Sequence, residues 1–358
     1  MLMETQDPLM QEDLEYVANS PVVPWSQLEG SSVLVTGATG LLGSHLVRAL
    51  ACRNRLYNAS ITVYAMARNS EKAQAMFGEL LQCGKISLVV GDMLGDYRLP
   101  EKIDYVIHAA SETNSKAFVT VPVETIRTAL YGTDKLLSNL KFVGLKGFLY
   151  LSSLEVYGTP SDGIVDIDET YSGYIDPLKV RSCYSEGKRM AECLCASYAS
   201  EYGIPVKIAR LTQTFDTGVT YNDGRVFAQF ARCAIEGRDI VLKTKGETLR
   251  SYCYVADAVV ALLTILLKGA VGEAYNVANR ETAITIADMA QFVCEKFANS
   301  KSNVVYDIAE SAEKLGYNPV MKISLNARKL KQLGWKPSFD LFQMFRRTIE
   351  SMKGSVSQ

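Results

Sequence analysis

What the chain lacks narrows its function first. In 358 residues no apolar run reaches the roughly 18 needed to span a bilayer, so no membrane-spanning helix is expected. The stretch Met1 to Pro24 is acidic and has no basic-then-apolar order, which argues against a secretory signal. A charge excess is also missing. The 38 Lys and Arg balance 39 Asp and Glu to a formal −1, which gives nucleic acid or an anionic membrane nothing to bind. Histidine is scarce: His45 and His108 alone cannot make a histidine-rich metal site. Eight cysteines are present but no Cys-x-x-Cys pair, so free thiols in a reducing, cytoplasmic setting are expected.

What is present is a large, ordinary core: 48% of residues are hydrophobic and 22% charged. That length and composition suit two domains, or one with an appendage. Residues 1–30 read as a polar leader with one short helix, Gln11 to Ala18. Next comes an apolar strand run, Ser32 to Val35, then Thr36-Gly37-Ala38-Thr39-Gly40-Leu41-Leu42-Gly43 and a helical pattern from Ser44 to Cys52. Strand, glycine turn and helix in that order form a dinucleotide-binding fingerprint, here spaced Gly-x-x-Gly-x-x-Gly. Gly37 permits the turn, Gly40 lets a pyrophosphate approach the backbone, and Gly43 allows helix and strand to close up. The residues at this turn, Gly37, Thr39, Gly40, Leu41, Leu42 and Gly43, are the expected cofactor cradle.

The second strand, Ile61 to Ala67, ends without the acidic residue that usually bonds the adenosine ribose of NAD. Arg68 stands there instead, a cation suited to the extra phosphate of NADP; an exposed arginine stacking on adenine is the plainer reading. Further strands lead to Gly91-Asp92-Met93 and to Ala109-Ala110, whose small side chains leave room for a cofactor. His108, inside its strand, reads as a hydrogen-bonded core residue.

A strand from Phe148 to Leu151 delivers Ser152-Ser153-Leu154-Glu155-Val156-Tyr157-Gly158 to the carboxyl edge of the sheet, where ligands of open parallel sheets bind. Downstream, Tyr184 and Lys188 are four residues apart in a run of good helix formers that stops at Gly203, so they share a helix face. An ammonium beside a phenol favours the phenolate, and the tyrosine is expected to exchange a proton near neutral pH. Alone, Tyr-x-x-x-Lys is most often only a helix surface.

Together, the glycine pattern, the Ser-Ser-x-x-Val-Tyr-Gly strand end and the Tyr-x-x-x-Lys helix resemble the extended short-chain dehydrogenase/reductase family of nucleotide-sugar epimerases, dehydratases and decarboxylases. The resemblance runs from about Val33 to about Met352 and includes Arg250 to Asp257, Gly272 to Val277 and Leu333 to Pro337. It implies a Rossmann-type, doubly wound parallel α/β sheet. Residues 31–212 would form the dinucleotide-binding domain, with 251–268 returning to it, and 213–358 mainly a smaller α/β domain for a nucleotide-diphosphate sugar. It also implies NAD as cofactor, with NADP possible through Arg68, and a homodimer through the Tyr184 helix.

Carried over residue by residue, the resemblance makes Ser153 the catalytic hydroxyl, Tyr184 the acid/base and Lys188 its activator. Asp92, Met93, Ala109 and Ala110 join the cofactor site. Ser111, Thr113, Gln213, Thr214, Arg225 and Arg250 are the substrate contacts, Arg250 toward the diphosphate and Arg225 as another nucleotide contact. Two family asparagines are replaced, by Ala129 and Gln213. The reaction turns on the turn after the strand. 4,6-Dehydratases carry Asp-Glu there, whereas Leu154-Glu155 matches the pattern of UDP-glucuronate decarboxylases, which keep only the Glu. A solvated or lysine-paired Glu155 is the bland alternative. A 4-epimerase or dehydratase, an NADP-dependent ketoreductase and a non-catalytic nucleotide sensor are the other readings of the same residues.

Overall fold

Short apolar runs rich in Val, Ile and Leu bury on both faces, and helices between most of them cross back over a sheet. The computed structural model describes residues 3–161, 163–298, 302–308 and 320–356. Its first five strands are β1 (Ser32–Thr36), β2 (Thr62–Ala67), β3 (Ser87–Val90), β4 (Tyr105–His108) and β5 (Gly147–Ser153). After β6 (Asp166–Ile167) come β7 (Val206–Leu211), β8 (Gln213–Phe215), β9 (Ile240–Leu242), β10 (Leu249–Tyr254), β11 (Ala274–Val277), β12 (Asn279–Thr285), β13 (Val304–Tyr306) and β14 (Lys322–Leu325). The helices are α1 (Pro8–Ala18), α2 (Leu41–Tyr57), α3 (Ser70–Gln82), α4 (Ala117–Thr120), α5 (Pro122–Leu140), α6 (Ser182–Tyr202), α7 (Val226–Glu236), α8 (Val255–Lys268), α9 (Ile286–Phe297), α10 (Arg328–Gln332) and α11 (Leu341–Val356).

The main sheet has seven strands in the order β3-β2-β1-β4-β5-β7-β11, and every pairing is parallel. This is the doubly wound Rossmann-like arrangement, with the switch point between β1 and β4. β1 is buried along its whole length, as a central parallel strand requires. The last strand, β11, comes from well beyond residue 212, and α8, apolar almost throughout, packs on β5 and β7. A second sheet, β12-β10-β14-β6 with β8 beside β10, stands next to the carboxyl edge of the first. β7 runs into β8 through Thr212 alone, so residues leaving the main sheet enter the second one at once.

The N-terminal stretch is no loose leader. α1 starts at Pro8, three residues earlier than its sequence pattern indicates, because Asp7 caps it by accepting from the N–H groups of Leu9 and Met10. Met10, Leu14, Val17 and Ala18 are buried in the main core, where α1 packs on α2 and α8. Among the described residues, no helix is long and apolar enough to cross a membrane. All eight cysteines are free thiols.

Candidate active site

Three chain segments converge at the switch point. Gly37 has φ +64°, and a Cβ there would lie 2.7 Å from the Ala110 nitrogen and 2.8 Å from the Ala109 carbonyl carbon. Only glycine lets the first turn lie this close to the end of β4. A Cβ at Gly43 would lie 2.2 Å from the Gly37 oxygen, so α2 starts in direct backbone contact with the turn. Gly40 is the N-cap of α2 and brings no capping side chain, which leaves the first N–H groups and the positive helix end facing outward. Thr39, Leu41 and Leu42 are half-buried around it. This cradle fits a pyrophosphate.

The Ala110 N–H donates to Thr36 Oγ1 at 3.2 Å, and that hydroxyl is 2.7 Å from His108 Nδ1. His108 Nε2 meets Thr133 Oγ1 at 3.1 Å, and burial pushes its pKa down to about 3. It is a neutral core histidine. Arg68 is 81% exposed, and its nearest acid, Asp92, is 3.9 Å away, so the cation is open to a ligand. Met93 is buried under Gly132 of α5.

β5 ends in Ser153, whose hydroxyl accepts from the Glu155 N–H at 3.2 Å and so starts a short 3₁₀ turn, Leu154–Tyr157. Tyr184 and Lys188 sit on the first turns of α6, both buried. Lys188 Nζ donates to the Leu151 carbonyl at 2.7 Å and lies over the Tyr150 and Tyr184 rings, 4.7 and 5.9 Å from their centres. Burial lowers its pKa to about 8, against the pull of Glu192 one turn further along. Tyr184 departs from the sequence expectation. Burial, then the negative charge of Glu155, push its pKa well above the ordinary phenol value, and a hydrogen bond with Ser153 offsets them only in part. Without ligands it is a neutral phenol and does not titrate near neutral pH.

Glu155 is neither solvated nor lysine-paired. Arg181 grips both of its oxygens, Nη1 to Oε2 at 2.9 Å and Nη2 to Oε1 at 2.8 Å, and Ser185 donates to Oε2 at 3.1 Å. Burial alone would raise this carboxyl, but Arg181, with Arg250 and Ser185, holds it below its ordinary value. The Arg181 guanidinium lies 4.7 Å from the centre of the Phe118 ring, which stacks on Tyr184 at 4.3 Å and 13°. Behind Ser153, Glu192 accepts from Ser152 at 2.5 Å and pairs with Arg210 at 2.7 Å. Phe118, Arg181, Ser185, Glu192 and Arg210 were not singled out from the sequence. Arg181 and Ser185 lie in the run around Tyr184 that resembles the decarboxylases, the one signal that could have found them.

The remaining expected contacts are distributed as follows. The pairing of Ser153 with Leu211 carries Gln213 and Thr214 past the strand end, and Gln213 Oε1 is buried without a hydrogen-bond partner. Arg250, on β10, has a buried Nε likewise unpartnered. Arg225 is committed to Asp223 through contacts of 2.9 and 2.8 Å and donates to the Thr214 carbonyl at 3.3 Å. Ser111 is half-buried with its hydroxyl 3.3 Å from the Glu112 carbonyl; Thr113 is exposed.

A model of the NAD dependent epimerase/dehydratase family matches residues 33–278. The chain belongs to that family. It is therefore an NAD-dependent enzyme, and the glycine cradle, with small residues behind it, fits the family's cofactor. UDP-glucuronic acid decarboxylase 6 of Arabidopsis thaliana is 30% identical over 303 residues, covering 81% of this chain and 85% of that protein. Among solved structures, an epimerase from Methanothermobacter thermautotrophicus superposes with a TM-score of 0.76 at 21% identity, covering 99% and 98% of the two chains. UDP-glucuronic acid 4-epimerase from Bacillus cereus, in complex with UDP-glucuronic acid and NAD, does so at 0.74 and 20%, covering 90% and 99%. At such identities the structures show the family fold, and the chemistry has to come from the site.

Proposed function

We propose that the chain decarboxylates a nucleotide-diphosphate uronic acid, UDP-glucuronate being the first candidate, through a 4-keto intermediate. The observation that carries this reading is the pair Leu154 and Glu155 at the turn after β5. Leu154 is buried and apolar, so no acid is available to expel a hydroxyl as a dehydratase must, while one carboxylate is kept beside Tyr184. The similarity to a UDP-glucuronic acid decarboxylase supports the same choice.

When bound in the Gly37–Gly43 cradle, NAD supplies the reversible acceptor that turns the hydroxyl at carbon 4 into a ketone and back. The chain's residues do the rest. Tyr184 must first release its own proton to solvent, which the positive charge of bound NAD and the Lys188 ammonium favour. As the phenolate it takes the proton from that hydroxyl, and Ser153, hydrogen-bonded to Tyr184, bonds the same oxygen. The ketone accepts the electron pair released when the bond from carbon 5 to the carboxylate breaks. Ser153 and protonated Tyr184 stabilise the negative oxygen that results. A proton then adds at carbon 5, with Glu155 as its nearest acid or base. Arg250 and the backbone beyond β7 face the diphosphate side.

The test is Glu155→Gln, run with UDP-glucuronate in heavy water. Wild type is expected to release carbon dioxide and to carry deuterium at carbon 5. The variant should still oxidise carbon 4 but stall, with the nicotinamide absorbance left high. If wild type yields no carbon dioxide and the variant stays fully active on a hexose nucleotide, the chain is a 4-epimerase. That second reading is favoured by the hold of Arg181 on Glu155, which leaves the carboxylate idle, and the Bacillus cereus enzyme has the same fold. We also propose a homodimer through α6: Ile126 and Leu130 of α5 and Met190 of α6 line one surface hollow with apolar side chains, and light scattering of the purified protein tests the association.

A further inference from the structure

The resting ion pair at the mouth of α6 has more positive charge than it needs. Arg181 is the N-cap of α6, so a cation sits at the helix end that already attracts anions. The charge of Arg250 acts on the same carboxylate, so Glu155 feels two guanidinium groups. The Nε atoms of both arginines are buried with no hydrogen-bond partner. Buried donors of this kind are costly when left unmade. The Phe118 ring fixes the plane of the Arg181 guanidinium, and that ring also stacks on Tyr184. Arg181 and Glu155 keep 19% and 15% of their side chains exposed, so a ligand can reach them. A second carboxylate at this place would balance the charge.

We propose that Arg181 reads the 6-carboxylate of the sugar by exchanging its resting partner, Glu155, for the substrate. This rests on the decarboxylase reading and deepens it. Exchange has a chemical consequence. Burial opposes the charge on Glu155, and Arg181 is the strongest of the groups that hold it. Once Arg181 turns to the substrate and a second carboxylate stands beside it, Glu155 takes up a proton from solvent. Decarboxylation then uses that proton. The bond from carbon 5 to the carboxyl carbon breaks, carbon dioxide leaves, and the electron pair passes to the oxygen at carbon 4. As the pair returns, Glu155 delivers its proton to carbon 5 and regains its bond with Arg181. The overall reaction consumes one proton per carbon dioxide, and the proton taken up on binding is that proton.

The experiment is calorimetry on NAD-loaded Tyr184→Phe protein, which binds without turnover, in two buffers of different ionisation enthalpy at pH 7. UDP-glucuronate is compared with UDP-xylose, the same ligand without the carboxylate. UDP-glucuronate is expected to bind with uptake of up to one proton and UDP-xylose with none. Adding Arg181→Gln should weaken UDP-glucuronate at least tenfold, roughly 1.4 kcal/mol, and leave UDP-xylose within about twofold. Adding Glu155→Gln should abolish the uptake without weakening UDP-glucuronate, because Arg181 is then free. This second variant serves should Arg181→Gln fail to fold. Equal weakening of both ligands by Arg181→Gln, or uptake that persists in Glu155→Gln, overturns the proposal alone. If the parent protein binds the two ligands alike without proton uptake, no carboxylate is read and the decarboxylase reading falls with it.

Discussion

Lys188 and Tyr184 have opposite burdens although they share a helix face. Burial disfavours charge on either, so the lysine becomes easier to deprotonate and the tyrosine harder. With Lys188 near 8, its ammonium fades as pH rises through that value. We expect kcat/KM to fall on the alkaline side of about pH 8, and Lys188→Arg, which stays charged, to move that limb upward. An unmoved limb in the arginine variant would assign it to another group. Stability runs the other way. Between a folded pKa of about 8 and the higher unfolded value, the unfolded chain binds more protons, so this group's contribution to stability grows as pH rises. Activity and thermal stability measured on one pH series should therefore diverge. Tyr184→Phe keeps the stack on Phe118 and removes the acid/base. Turnover should drop on the order of a hundred-fold or more while NAD binding, read by calorimetry, survives.

At the scale of elements, the glycine turn makes a sharp prediction. Gly37→Ala forces a Cβ to 2.7 Å from a backbone nitrogen at a positive φ, so β1, β4 and α2 cannot keep their spacing. NAD affinity should fall at least tenfold by calorimetry. Gly78→Ala on α3 has open space around its Cβ and should instead stabilise by about 0.5–1 kcal/mol in urea. A silent Gly37→Ala would remove the turn from the cofactor site. This contrast also shows why the cradle was legible in the sequence. The strand run, turn and helix are contiguous, and their chemistry is decided by residues a few positions apart. The guanidinium grip on Glu155 joins positions 26 apart, and the Phe118 ring that stacks on Tyr184 belongs to the short helix α4 far upstream. Neither leaves a local pattern. The raised Tyr184 pKa was missed because Tyr-x-x-x-Lys spacing reports proximity, whereas burial and the charge of Glu155 decide the sign.

On the scale of the molecule, the first helix is a structural member. Asp13 Oδ2 accepts from Tyr254 Oη at 2.6 Å and Thr217 Oγ1 at 2.9 Å, while Oδ1 accepts from Arg347 Nη2 at 2.9 Å. Arg347 also donates to Tyr254 Oη at 2.9 Å and to the Leu9 carbonyl at 2.9 Å. One buried carboxylate thus ties α1 to α11, to the end of β10 and to the loop after β8, the segment that leads away from the site. In the sequence Asp13 stands among Gln11, Glu12 and Glu15, which is why residues 1–30 read as a polar leader. A buried pair gains little over apolar packing, but half of one is strongly unfavourable. Asp13→Ala leaves Arg347 with the exposed Glu12, at 3.1 Å, as its remaining anion and strands its buried end beside Tyr254, which should cost about 3 kcal/mol in denaturant unfolding. Replacing the whole cluster (Asp13→Leu, Arg347→Met and Tyr254→Phe together) should recover most of that loss, because no charge is left stranded. If the triple variant is as unstable as the single one, shape rather than charge holds α1 in place. If Asp13→Ala costs less than about 1 kcal/mol, the network behaves as a surface pair and the buried apolar face of Met10, Leu14 and Val17 is what holds α1.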